Sequence, residues 1–206
     1  MDKWIWTGSF IENPEVVDYT YEVRSDEVVI LENEYQVEGA WEANGYSASA
    51  EYICRNGGDI LQIGHHGFDQ MSSYIQTHDI KSHTIVIDRA QALPYAQEWS
   101  ADKPNVYIIT GSFYEKDLSR YDGIYINKTK ILYCNKETAK QLLLPRLRQL
   151  SKTVTLVTWF NHYNWRGNIL SVPVDYDAIQ LESSAPASSK YFKGDIYYLP
   201  KMAIHE

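Results

Sequence analysis

Apolar positions in this chain fall into short runs, several ending in a glycine or an acid and most followed by an amphipathic stretch. The clearest is Asp59-Ile60-Leu61-Gln62-Ile63-Gly64, which predicts a buried strand over 59–64, a tight turn through His65, His66 and Gly67, and a helix from about Phe68 to Thr77. His83-Thr84-Ile85-Val86-Ile87-Asp88 is a nearly continuous apolar strand, as expected when both sheet faces are covered. A helix over about 90–99 follows, with Pro94 in its first turns. Further strands are expected at 105–110, 121–127 and 153–159, and a helix at 138–150, where Leu142, Leu143, Leu147 and Leu150 recur at helical spacing and Pro145 introduces a kink.

The two ends of the chain differ from this middle. Residues 1–44 look extended, with β-rich segments at 19–23, 28–31 and 35–37, and are expected to form an N-terminal extension serving as a lid or a homodimer contact. A helix starts near Tyr46, carries Tyr46, Ala50 and Ile53 on one face, and stops at Asn56-Gly57-Gly58. Segments 178–182 and 195–199 alternate and predict a terminal antiparallel pair. Strands interleaved with helices imply an α/β fold with a doubly wound, mostly parallel sheet, formed by residues 45–206 as one unit.

Length and charge narrow the partners. A chain of 206 residues suits one core. The net charge of −8 argues against a nucleic-acid backbone or an anionic membrane as main partner. The basic cluster Arg146, Arg148 and Lys152 reads as a solvated helix face. Two cysteines, Cys54 and Cys134, make neither a disulfide framework nor a zinc site, and no apolar run is long enough for a signal peptide or a membrane span. A reduced, cytoplasmic protein is therefore expected. Tyrosine is abundant, 17 residues against five Phe, which suits a pocket lined by aromatic faces and hydroxyls.

Three features point to a bound nucleoside. Gly64 and Gly67 allow the backbone to turn close to a ligand. Asp88 ends the next strand, where an acid accepts hydrogen bonds from ribose hydroxyls. Gly111-Ser112-Phe113 follows the third strand, where backbone amides and an aromatic face would hold a purine. His65 and His66 are adjacent and lack the spacing of a metal site, so no metal is expected there; they read as loop histidines beside the nucleoside.

The order of these motifs resembles guanidinoacetate N-methyltransferase and the related arginine N-methyltransferases, which are class I S-adenosylmethionine-dependent enzymes. Trp41-Glu42, Gly57 through Gly64, Gly111-Ser112-Phe113, Tyr121-Asp122-Gly123-Ile124 and Tyr197 through Met202 carry the resemblance. It implies a Rossmann-like class I methyltransferase sheet with a terminal antiparallel strand pair, S-adenosylmethionine as cofactor, and a small-molecule substrate methylated at an amine or guanidine nitrogen. It also implies cofactor contacts from Gln62, Gly64, His65, Gly67, Asp88, Gly111, Ser112 and Phe113. Glu42 falls at a substrate-binding acid. Asn127 stands where that family has the aspartate that takes the guanidinium proton, and asparagine is no base. His66 is the candidate replacement, with a pKa suited to the task. Gln62 likewise stands for an acid. These changes leave two alternatives: a catalytically inactive binding or scaffold protein on the same fold, or a different reaction in the retained pocket.

Overall fold

The central strand, β4 (Asp59–Ile63), is buried from Ile60 onward and has a neighbour on each side. The computed structural model describes residues 19–24, 27–32, 35–64, 70–87, 92–127, 139–159, 174–184 and 194–205. Within them β4 is followed by helix α2 (Gln70–Ile75), strand β5 (Ser82–Ile87), helix α3 (Leu93–Ser100) and strand β6 (Val106–Thr110). The chain then crosses to the other side of β4 to form β7 (Tyr121–Ile126), helix α4 (Leu144–Gln149) and β8 (Ser151–Trp159). Strands β9 (Asp175–Gln180) and β10 (Ile196–His205) complete a seven-stranded sheet of order β6-β5-β4-β7-β8-β10-β9. The first five strands are parallel, and β10 runs antiparallel to both β8 and β9. The expected α/β, mostly parallel sheet with an antiparallel end is thus the observed one.

Ahead of this sheet stand β1 (Tyr19–Arg24), β2 (Glu27–Glu32) and β3 (Tyr35–Glu38), a separate antiparallel three-stranded sheet, and helix α1 (Ala43–Cys54). Helix α1 packs Tyr46, Ala50 and Ile53, all essentially buried, as the spacing predicts. The Tyr46 ring meets Tyr125 of β7 edge-on at 6.5 Å. Helix α2 sits on the face of β4 that carries Gln62, through Ser72. Helix α3 covers Ile85 and Ile87 with Ala92 and Ala96, a small core apart from the main one. Because βαβ crossovers are right-handed and the path reverses direction at β4, α4 belongs on the opposite face.

Several predicted elements shift their bounds by two or three residues, and two of the differences fall at a proline. Residues 139–143 form a π-helical turn, and α4 begins only after it with Pro145 in its first turn. A proline there has no N–H to give to the preceding turn, so the ladder is interrupted where a kink was expected. The last strand continues through Pro200 to His205 instead of ending at Leu199. Residues 196–201 pair with β9 and residues 202–205 with β8, so Pro200 stands just before β10 changes partner. A missing N–H is tolerated at such a break in the ladder.

The thiol of Cys54 is buried, which pushes its pKa up to about 12 and makes it inert. No helix among the described residues is long and apolar enough to cross a membrane.

Candidate functional site

The parallel register brings four strand ends into line. Ile63 pairs with Val86 and Ile126, and Val86 pairs with Ile109. Backbone hydrogen bonds extend this row one step: Gly64 N–H to the Val86 carbonyl (2.9 Å), Gly111 N–H to Ile87 (2.8 Å) and Asn127 N–H to Ile63 (2.9 Å). Gly64, Gly111 and Asn127 therefore share the carboxyl edge of the sheet, and the direction of the connections reverses between β4 and β7. Open α/β sheets bind ligands in the crevice at such a reversal. Gly64 and Gly111 turn there with φ of 85° and 106°. Any other residue would be strained at these angles, and a Cβ on Gly111 would lie 2.8 Å from the Lys116 side chain.

The loop after β6 is fixed from α4. Arg146 donates from Nε (3.0 Å) and Nη2 (2.8 Å) to the Phe113 carbonyl, and from Nη2 to the Lys116 carbonyl. The expected solvated basic face is thereby corrected: Arg146 organises a loop at the site, Lys152 binds two aspartates, and Arg148 alone of the three is exposed. Ser112 stays half-buried, its Oγ accepting from Tyr114 N–H at 3.3 Å. Phe113 is 1% exposed, its ring tilted against Tyr114 at 4.1 Å. That ring belongs to the core, so Phe113 borders the site through its backbone.

Gln62 is buried beneath the Gly64 turn. Its Nε2 donates to the Gly64 carbonyl (3.3 Å), and its Oε1 accepts from Ser72 Oγ (2.8 Å) and His83 Nε2 (3.1 Å). An amide oxygen only accepts, so the His83 proton sits on Nε2, and Nδ1 accepts from Gln76 Nε2 at 3.2 Å. This tautomer satisfies both the Gln62 and the Gln76 contacts. The position singled out for cofactor contact thus holds the turn from below. His83 went unnoticed in the sequence, where it is simply the start of a strand; only a fully buried histidine beside a buried glutamine marks its role.

Glu42 closes the helical turn Ala40–Glu42 that leads into α1. The C-terminal end of α1 feeds the start of β4, so its N-terminal end lies over the carboxyl edge. Glu42 is buried, with Oε2 accepting from Gly39 N–H (3.2 Å) and the Tyr46 hydroxyl (3.4 Å). Tyr46 leads to Tyr125, two residues before Asn127. On the same side the Tyr197 hydroxyl donates to the Trp159 carbonyl (3.1 Å) and lies 3.3 Å from Ser49 Oγ. Glu42 and Asn127, distant in sequence, are brought to one sheet edge behind a wall of tyrosines. His65, His66, Gly67 and Asp88 lie outside the described residues.

No protein-family model and no curated protein matches the sequence. Solved structures do resemble it. N-methyltransferase NodS from Bradyrhizobium japonicum WM9 superposes with a TM-score of 0.61 at 12% identity, covering 81% of this chain and 97% of that one. The same protein in complex with S-adenosyl-L-homocysteine gives 0.62 at 10% identity, over 81% and 89%. Spermidine synthase from Thermotoga maritima gives 0.65 at 12% identity, over 93% and 71%. Likeness at such identities is one of fold: the chain has the Rossmann-like, mostly parallel α/β sheet with an antiparallel end that these methyltransferase and synthase structures share.

Proposed function

We propose that the chain is an S-adenosylmethionine-dependent methyltransferase acting on an amine or guanidine nitrogen of a small molecule. The alignment of the Gly64 and Gly111 turns with Asn127 at the reversal of the sheet carries this reading, in a fold that NodS uses with S-adenosyl-L-homocysteine bound. The cradle fits such a ligand, because two turns without side chains let an adenosyl group approach the backbone closely. Asp88, next in the chain after β5, is assigned to the ribose hydroxyls, and Ser112 with the Phe113 backbone to the purine. His65 and Gly67 are assigned to the cofactor as well, and Gln62 holds the Gly64 turn in shape. The cofactor supplies an electrophilic methyl on a sulfonium.

The remaining residues manage the acceptor. Methyl transfer depends on alignment and exclusion of water, which a buried edge walled by Tyr46, Tyr125 and Tyr197 favours. The Glu42 carboxylate binds a cationic or hydrogen-bond-donating nitrogen, and the Asn127 amide orients it without adding charge. The proton released by the nitrogen goes to Glu42 or to His66. With Asn127 in place of an acid, guanidinoacetate itself is a poor substrate.

Glu42→Gln tests this assignment. It should raise the acceptor KM or lower kcat, with cofactor affinity unchanged, in an assay that detects a product one methylene heavier. Loss of cofactor binding in this variant would move Glu42 out of the acceptor site. One observation favours a second reading, polyamine synthesis. The likeness to spermidine synthase covers 93% of the chain, more than residues 45–206 alone can supply. A diamine extended by more than one carbon in the same assay would select it.

A further inference from the structure

The opposite, amino edge of the sheet carries a second cleft, of about 540 Å³. That is within the size range of small-molecule sites. It opens where β9 stops pairing: β9 reaches only Lys201, so among the described residues Met202–His205 have β8 on one side and the cleft on the other. Arg55, just after α1, and Arg148 of α4 flank the notch, with Lys201 and His205 along its strand. Among its described lining residues the one acid is Asp175. Lys201 is already engaged by Asp177 at 2.6 Å. Among the described residues neither Arg55 nor Arg148 forms an ion pair with a carboxylate, and both are exposed. Arg55 instead lies over the Tyr52 ring at 5.3 Å from its centroid, and the Tyr52 hydroxyl is fixed on the Met202 carbonyl at 3.0 Å. In a chain of net charge −8, two unneutralised guanidinium groups facing one cavity stand out against the overall field.

We propose that this cleft binds a small organic phosphate. The two guanidinium groups are planar forks matched to phosphate oxygens. Stacking on a fixed tyrosine pre-orders Arg55, which reduces the entropy lost on binding. His205 adds a donor, and Leu144, Met202 and Ile204 give the ligand's organic part an apolar surface. This site is separate from the carboxyl edge and does not depend on the methyltransferase reading.

Calorimetric titration with phenyl phosphate and with benzoate tests the proposal, on the wild type and on the double variant Arg55→Gln/Arg148→Gln. Both arginines are exposed, so the variant should keep the wild-type unfolding midpoint, and thermal unfolding checks this. Saturable phenyl phosphate binding is expected, weakened by raised salt and reduced at least about tenfold in the variant. Asp175→Asn should tighten it. Absence of binding to the wild type, or equal binding by the variant, would overturn the site. Benzoate binding as tightly as phenyl phosphate would overturn the phosphate assignment.

Discussion

At the amino edge of the sheet, Lys152 Nζ lies 2.6 Å from Asp122 Oδ2 and 2.7 Å from Asp59 Oδ2, with Ser82 Oγ donating to Asp59 Oδ1 at 2.7 Å and the Asp59 N–H to Asp122 Oδ2 at 2.7 Å. Near the carboxyl edge Gln62 supports the Gly64 turn, and its bonds to Ser72 and His83, with Gln76 behind, run back along the sheet face toward the start of β5 through hydrogen bonds that need no charge. Full charges at the first edge are partly exposed, which keeps their desolvation cost low, and they pin β4, β7 and β8 together. The proposed cofactor turn at Gly64 must stay rigid to hold a ligand. A buried neutral network does this without placing a competing charge beneath the site. One sheet is thus held by charges at its amino edge and by uncharged groups beneath the Gly64 turn.

Variants at the two edges should separate stability from ligand affinity. The largest loss is expected at Gly58, which turns at φ 82° and whose Cβ would lie 2.1 Å from Asp122 Oδ2. Gly58→Ala should cost about 3 kcal/mol in urea unfolding, with S-adenosyl-L-homocysteine affinity unchanged below the midpoint. A weakened affinity in the folded variant would show that the edges are coupled.

Gln62→Leu at the other edge removes the acceptor of Ser72 and His83 and the donor to Gly64. It should cost about 2 kcal/mol and also lower S-adenosyl-L-homocysteine affinity about tenfold. Intact affinity would confine Gln62 to the core.

Lys152→Met should cost about 1.5 kcal/mol, with a pH signature. Partial burial would raise the Asp59 pKa, but hydrogen bonds from Lys152 and Ser82 and the charges of Lys152 and Lys81 hold it below the usual carboxylate range. Burial would lower Lys152, and its bonds to Asp122 and Asp59 raise it instead. The Asp59 contribution is present above the unfolded pKa near 4 and is lost as pH falls through the depressed folded value. That of Lys152 is present below about pH 10 and is lost as pH rises through its raised value. The stability gap between wild type and Lys152→Met should therefore be flat at neutral pH and close in acid. A gap that persists at pH 2 in urea titrations would mean that packing, not charge, holds this edge.

Gly64→Ala should have the smallest effect on stability, about 1 kcal/mol from the positive φ, read in the same titrations.

The sequence made the succession of strands and much of the core legible because β4 and β5, covered on both faces, are largely apolar runs. Proline marked the places where elements change but not how. Pro200 reads as a stop, and only the sheet shows that β10 passes through it to a new partner. Long-range polar partners were invisible. Arg146, Arg148 and Lys152 lie close together and look alike in sequence, yet Arg146 on α4 binds carbonyls at Phe113 and Lys116, and Lys152, already in β8, reaches Asp59. His83 and Gln62 were hidden for the same reason, since their meeting depends on parallel register. Glu42 and Asn127 could be placed at one edge only once α1 was seen to run back over the sheet.

The most direct test of the account is calorimetric titration of S-adenosyl-L-homocysteine into the purified chain and into Asp88→Ala. Saturable binding near one-to-one, weakened at least about tenfold by the substitution, is the predicted result. No binding to the wild type at millimolar ligand would contradict the central claim, and the carboxyl edge would then share the fold of these structures without the proposed cofactor site.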